Sequence, residues 1–400
     1  MGTARDPGPR GRHRGVGPGH VSSPVDVLIV GGGVVGLATA LELSRRGAGV
    51  TLLERGRVGD RLTSGLGAAA GAVAAQARTR AEPEASRDLA LLGRHLWPAW
   101  AEGLEAASGL STEFEAAGGI AVARSDPEEV ALDRALDWQR ARRLPVEVLS
   151  PEEAVEREPS LSPDLTAAFA FPLEGQVAAA RLARALLLAA RAAGVRLVEE
   201  CPVHAIRTAG SRVEGAETGV GRITAATVVN CGGAFASRLP GVPPLPLVPY
   251  RTEAVRLDAS ADAERPSRIV VAPDVLLVPS RDATLTAAST VGSTGFDARP
   301  AAAALGALLS RAASVVPAAS VYPVMEIWAA VSPVTPDGVP LLGETDVGGY
   351  WAATGLGPWG LTSGPAAAVL VADLLSGTLP ALPTEPFAPR RFGPAGEDPW

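Results

Sequence analysis

The chain has 400 residues, of which 47% are hydrophobic and 20% charged, with a formal net charge of -7 and a sequence pI near 5.3. Such a chain can bury more than one core and is not disordered as a whole, and its acidic balance argues against nucleic acid as a standing partner. All 36 basic residues are Arg, which excludes lysine chemistry such as a Schiff base, and the few cysteines (Cys201, Cys231) and histidines (His13, His20, His95, His204) show neither disulfide nor metal-ligand spacing.

Residues 1–24 are rich in Gly, Pro and Arg, lack an apolar h-region and read as a flexible tail. Residues 26–30 are almost wholly apolar, as a buried parallel strand should be, and glycines follow at once. Residues 34–46 read as an Ala- and Leu-rich helix stopped by Gly47, and residues 50–53 as a second strand ending at Glu54. Strand, turn, helix and strand in so short a span make a βαβ unit. Residues 60–80 form a loop of small side chains. Leu89, Leu92, Leu96, Trp97 and Trp100 then recur at helical spacing within residues 84–109. Residues 127–160 read as helical pieces with a solvated acidic face.

A helix at 181–194 leads into short strands at 195–198, 203–207, 212–218 and 222–230. A Pro-rich connector at 239–249 precedes strands at 251–257, 269–271, 276–278 and 284–288. A helix near 301–315, a Gly-rich turn and a last helix at 366–375 complete the pattern. No apolar run reaches membrane-spanning length; the best, at 301–319, is broken by Arg311 and Pro317.

Gly31-Gly32-Gly33-Val34-Val35-Gly36 fits G-x-G-x-x-G between a strand and a helix. Gly31 permits the tight turn, Gly33 lets a pyrophosphate approach the backbone, and Gly36 lets the helix pack close to the strand. The helix N-terminus, at Val34 and Val35, offers unpaired N–H groups to phosphates. Glu54 stands where a carboxylate accepts both ribose hydroxyls and repels a 2′-phosphate, which disfavours NADP. The motif alone does not separate FAD from NAD.

The sequence also resembles the D-amino-acid oxidase and glycine oxidase flavoproteins, through several separated motifs from about residue 25 to 375. Residues 26–56, with Arg55 after Glu54, are similar to that family's first βαβ. Residues 64–71, including Ser64, Ala70 and Gly71, resemble its small-residue loop beside the flavin, and FPLEGQV at 171–177 its entry to a second cofactor-contacting stretch. Val203 lies where the family uses backbone atoms against adenine, and Thr227 to Gly233, with Cys231 and Gly232, resembles the strand returning under the cofactor. TPDGVPLLG at 335–343 is the most specific match. Gly355, Leu356, Gly357, Pro358, Trp359, Gly360 and Leu361 resemble the family's flavin-side turn, whose N–H nest would stabilise negative charge on the flavin.

The resemblance implies an α/β protein: a Rossmann-like FAD-binding domain interleaved with an α+β substrate domain on a largely antiparallel sheet. The expected division is a 1–24 tail; an FAD-binding domain from 25–80, 178–240 and 322–380; a substrate domain from 81–177 and 241–321; and a 381–400 C-terminal tail. FAD would be non-covalent, since Cys231 sits in a strand end and Cys201 precedes a proline. The implied activity is oxidation of a C–N bond to an imine by hydride transfer to flavin N5. The partners are then a small amine or amino-acid-like substrate and dioxygen or another electron acceptor, in a cytoplasmic enzyme without a membrane span and with homo-oligomer formation left open.

The substrate half departs from the family pattern. In the string Trp328-Ala329-Ala330-Val331-Ser332-Pro333, Ser332 occupies the position of the Arg that anchors a substrate carboxylate in amino-acid-oxidising members. Ser280 replaces an Arg, Ala283 and Ala288 replace glycines, Gly292 replaces a Glu, Leu276 stands where a tyrosine is common, and Leu356 where many relatives have His. Either Arg251 or Arg281 supplies the anchor from another strand and small amino acids remain substrates, or the substrate is a larger or derivatised amine. Tyr250 is a pocket candidate, as is Trp359. A third reading, from another class, is an FAD-binding protein without redox turnover.

Overall fold

The computed structural model describes residues 25–60, 64–77, 82–261 and 264–393; the 1–24 tail and residues 394–400 lie outside them. The apolar run at the start of the chain becomes β1 (Val25–Val30), the centre of a sheet. Beside it lie β2 (Val50–Leu53) and β8 (Arg196–Val198) on one side, β11 (Gly221–Asn230) and β18 (Tyr350–Thr354) on the other, all parallel. Antiparallel β17 (Leu341–Glu344) closes the β18 edge, and β9 (Val203–Ala209) and β10 (Arg212–Thr218) extend from β11 as a meander. Parallel strands must be covered on both faces. One face is covered by α1 (Val34–Arg45), α5 (Ala179–Ala192), α7 (Gly360–Ser376) and α2 (Glu84–Ser108), whose apolar stripes share one core.

The second sheet runs in the order β16 (Val324–Val334), β12 (Val248–Asp258), β15 (Thr284–Ser293), β14 (Val275–Pro279), β13 (Ile269–Ala272), β4 (Gly119–Ala123), β6 (Ala167–Phe171) and β5 (Glu147–Leu149). Every neighbouring pair is antiparallel except β13 with β4. Helices α3 (Asp126–Ala141), α4 (Pro151–Arg157) and α6 (Ala302–Val315) pack against it. A short ribbon of β3 (Ala72–Val73) and β7 (Gly175–Gln176) stands apart from both sheets. The architecture is the interleaved α/β plus antiparallel-sheet class that the sequence indicates.

Four boundaries differ from expectation, each for a physical reason. Residues 324–334 of the expected FAD-binding stretch 322–380 belong to the second sheet, because β16 pairs along its whole length with β12. Helix α2, assigned by position to the substrate domain, buries Leu89, Trp97 and Leu104 in the core of the first sheet. Helix α7 starts at Gly360 rather than near 366: Pro365 lies inside it, and the Leu361 carbonyl that its missing N–H leaves free accepts instead from the Trp97 indole (3.2 Å). The described part of the expected 381–400 tail packs on the body: Phe387 is 1% exposed, and Arg390 donates to the Thr345 carbonyl.

Among the described residues one helix, Gly357–Ser376, is after all long and apolar enough to cross a membrane by length and composition. Two-thirds of it is buried inside the protein, against α1 and α2, which accounts for its apolarity as a core helix.

Candidate active site

The strand–turn–helix crossing at β1 and α1 fixes one wall of a cavity of about 870 Å³, at the upper end of the roughly 300–1,000 Å³ usual for ligand clefts. The three glycines have distinct geometry. Gly31 has φ +108, and a Cβ there would lie 2.4 Å from the Cys231 carbonyl oxygen; one on Gly36 would lie 2.0 Å from the Gly31 carbonyl oxygen. A Cβ on Gly33 would meet nothing within 4 Å, leaving its backbone open to the cavity. Helix α1 has no side-chain cap and no acidic residue in its first turn. Its orphan N–H groups at Val34 and Val35 thus face the cavity as an anion cradle. Gly36 itself is not on the lining and serves the packing of helix on strand.

Glu54 is 5% exposed, and its carboxylate accepts from the Gly32 N–H (2.6 Å) and the Gly56 N–H (2.9 Å). It therefore ties the end of β2 to the glycine turn and keeps one lone pair on each oxygen for a diol. Arg55, Ser64, Ala70, Gly71, Val203, Cys231 and Gly232 line the same cavity. Burial pushes the Cys231 thiol well above its ordinary range, which keeps it protonated and inert toward covalent attachment.

A second stretch of the wall is the turn at Gly355, Leu356, Gly357, Pro358, Trp359, Gly360 and Leu361, all on the lining. Gly355 and Gly357 hold φ +86 and +60, and α7 likewise begins without a side-chain cap or an acid in its first turn. The turn is fixed from behind: the Trp97 indole N–H donates to the Leu361 carbonyl (3.2 Å), and the Thr362 hydroxyl bonds both the N–H and the carbonyl of Ala74. Two uncapped helix N-termini converging on one cavity suit a ligand with a diphosphate at one place and an electron-accepting ring at another. The residues present fit FAD.

The floor is the second sheet. Tyr250, Thr252 and Ala254 of β12, Ala288 and Thr290 of β15, Ala330 and Ser332 of β16, and Leu276 of β14 line the cavity. Tyr250 pairs directly with Ser332, and Thr252 with both Ala330 and Thr290, their two hydroxyls 3.2 Å apart. These floor side chains are hydroxyls and hydrocarbon, with no charge among them. The Trp328 indole donates to the Ala68 carbonyl (2.8 Å), seating the small-residue loop on the floor.

Neither candidate replacement anchor reaches this floor. Arg251 lies between Tyr250 and Thr252, so strand alternation turns it to the other face, where it pairs with Glu253 (3.2 Å). Arg281 sits at an exposed turn and pairs with Glu115 (2.5 Å). Among the described residues, the cations on the cavity lining are Arg55 and Arg238. Arg238, Thr252 and Thr290 were not singled out from the sequence. Period-two alternation around Tyr250 points to Thr252, and Thr290 is the matching Thr between the altered positions Ala288 and Gly292 of the family pattern, but nothing local marks Arg238. No cluster of three or more potential metal ligands occurs among the described residues.

The family model for DAO, FAD dependent oxidoreductase, matches residues 26–374. Glycine oxidase of Geobacillus kaustophilus is 35% identical over 377 residues, covering 93% of this chain and 98% of that protein. The bifunctional protein ThiO/ThiG of Trichormus variabilis is 31% identical over 352 residues; the chain spans only 52% of its length. The crystal structure of the Geobacillus kaustophilus glycine oxidase superimposes with a TM-score of 0.84 at 34% identity, covering 91% of this chain and 98% of that one. The cavity between its two sheets is the candidate site for FAD, and the chain belongs to the DAO family of FAD-dependent oxidoreductases.

Proposed function

We propose that the protein oxidises the C–N bond of an amine whose neighbouring acyl group is uncharged or absent, rather than a small free amino acid. The observation that carries this reading is the floor itself: Ser332 stands opposite Tyr250 among hydroxyls and methyls, while Arg251 and Arg281 are committed elsewhere. A free carboxylate placed there would lose a charge-assisted pair worth roughly 1.5–3 kcal/mol. A neutral carbonyl, as in an ester, thioester or amide, needs only hydroxyl donors, and Tyr250, Thr252, Thr290 and Ser332 supply them.

Bound FAD supplies the hydride acceptor at N5, and the imine product is open to hydrolysis by water. The chain's own contribution is positional. The uncapped start of α7 faces the cavity where negative charge would develop, the small residues Ala68 and Ala70 admit a planar ring, and the sheet floor orients the amine. No protein acid or base is required when the amine is neutral. The electron acceptor is dioxygen or a carrier.

Anaerobic flavin bleaching by a substrate panel tests the reading. Amino esters and amides are expected to bleach the flavin faster than glycine, sarcosine or small D-amino acids; rapid bleaching by these small free amino acids would sink it. Flavin that dithionite reduces but no amine bleaches would leave a binding protein without turnover.

A further inference from the structure

Two apolar side chains stand beside the hydroxyl floor, and strand register places them next to Ser332. Val334 and Leu356 form an isolated antiparallel bridge, so the 355–361 turn runs along the outer edge of β16 at the C-terminal end of that strand. Residues directly opposed in such a pair have Cβ atoms about 4.5–5.5 Å apart on one face. The pairing of β16 with β12 is continuous from Trp328 to Val334, so alternation gives Val334 the same face as Ser332 and Ala330. That face is the floor, where Ser332 pairs with Tyr250 and Ala330 with Thr252. Val334, Leu356, Ser332 and Tyr250 all line the cavity.

The backbone around Leu356 is held on both sides. A Cβ on Gly355 would lie 2.9 Å from Thr335 Cγ2 and 3.3 Å from the Leu341 backbone nitrogen, and one on Gly357 would lie 3.6 Å from Val334 Cγ2. The turn therefore packs on the end of β16 and on the start of β17, with Leu356 as the side chain between two glycines. Polarity changes along the floor at this point. From Ser332 toward Ala330 the neighbours across the sheet are the hydroxyls of Thr252 and Thr290; in the other direction the floor ends on the hydrocarbon of Val334 and Leu356. Both of these side chains are half-buried, so a ligand's own hydrocarbon laid over them removes apolar surface from water.

We propose that Val334 and Leu356 form a subsite for a hydrocarbon group carried on the heteroatom of the substrate's acyl group, as in an alkyl ester or an N-alkyl amide. The subsite rests on the reading that a neutral carbonyl occupies the hydroxyl floor, and it names what lies beyond that carbonyl. With the carbonyl oxygen on Tyr250 and Ser332, the next atoms of the acyl substituent meet Val334 and Leu356, one step further along β16. A free carboxylate has no such atoms. The two side chains therefore select among acyl derivatives of one amine.

Two homologous series on the flavin-loaded enzyme test it. The methyl, ethyl, propyl and butyl esters of glycine are compared by anaerobic flavin bleaching. The same alkyl esters of hydroxyacetic acid, which carry no amine, are compared by the Kd read from the change they cause in the flavin spectrum. Kd is expected to fall about three- to fourfold per added methylene until the subsite is covered, and bleaching at low ester concentration to speed up in step. Leu356→Ser and Val334→Thr should each flatten both series; Val334→Thr keeps the side-chain shape, so its effect does not depend on a displaced turn. A wild-type Kd that is flat with chain length, or a slope unchanged in both variants, would overturn the subsite. So would a gain that follows lengthening of an N-alkyl group on glycine methyl ester instead of the ester alkyl, since Val334 and Leu356 would then face the amine. The neutral-acyl reading fails on a different result, namely free glycine or sarcosine bleaching the flavin as fast as the esters do.

Discussion

Ser332 and Tyr250 face one another across β16 and β12, and the simplest single change at this pair is to restore a guanidinium. Ser332→Arg is expected to speed flavin bleaching by small free amino acids roughly tenfold or more, the equivalent of one regained charge-assisted pair. An unchanged rate with bound flavin intact would mean that the floor does not seat a carboxylate even when offered a partner. A second residue-scale prediction concerns Ala283, which holds φ +60 in the turn before β15, where the family pattern has glycine. The left-handed region costs an L-residue about 1–2 kcal/mol, partly offset in glycine by chain entropy, so Ala283→Gly should stabilise the protein by up to about 1 kcal/mol. A rise in urea midpoint at constant slope checks this, and a fall would refute the strain. At this scale the sequence was informative wherever the chain acts on itself. Gly31, Gly33 and Glu54 are specified within one βαβ unit, and each has the geometry that the motif demands. Arg251 and Arg281 were not legible, because the face of β12 and the distant partner Glu115 are set by tertiary pairing.

Helix α2 shows the same division between what is local and what is not. Its heptad-like apolar spacing and its Gly109 stop were readable, and Gly109 closes the helix at φ +70. Its allegiance was not readable, since nothing in residues 84–108 says which sheet they cover. The packing explains it: a Cβ on Gly93 would lie 2.2 Å from the Thr362 carbonyl oxygen, in the first turn of α7. Gly93→Ala should therefore push α7 away from α2, lowering stability by about 1–3 kcal/mol and loosening flavin binding through the 355–361 turn. A Cβ on Gly103, on the same helix, would meet nothing within 4 Å. Gly103→Ala should instead stabilise by about 0.5–1 kcal/mol from helix propensity alone. Paired thermal melts with flavin-release measurements decide it; equal effects at the two positions would remove the close-approach argument. The β12–β16 pairing was likewise hidden, because strands some eighty residues apart carry no local signal of their register.

At the scale of the whole molecule, buried polar links hold the two sheets and the loops between them. Glu174, fully buried, accepts from the Ala75 and Gln76 N–H groups and pairs with Arg94 (3.1 Å), while Gln76 bonds Gln139 of α3. One network thus joins α2, the segment after β3, the approach to β7 and α3. The C-terminal segment makes a second link. Arg391 clamps Asp337 through Nε to Oδ2 (2.7 Å) and Nη2 to Oδ1 (3.0 Å), closing residues 389–392 onto the TPDG turn. Burial pushes the Asp337 carboxyl up, but the Arg391 guanidinium and the Val339 N–H outweigh it and hold it below its ordinary value of 3.8. A carboxylate depressed in the folded state contributes stability that is complete above its unfolded value and is lost as pH falls through the folded one. Asp337 is 39% exposed at its side chain, so solvent screening keeps this contribution under about 1 kcal/mol. The stability difference between wild type and Arg391→Gln should therefore be constant between about pH 5 and 7 and shrink below about pH 4. It should not vanish, because Arg391 also donates to the carbonyls of Pro340 and Ala388, which do not titrate. Chemical denaturation of both proteins across that range measures the gap. A gap that stays constant into acid would show that the clamp is held by those carbonyls and that Asp337 is a turn residue only.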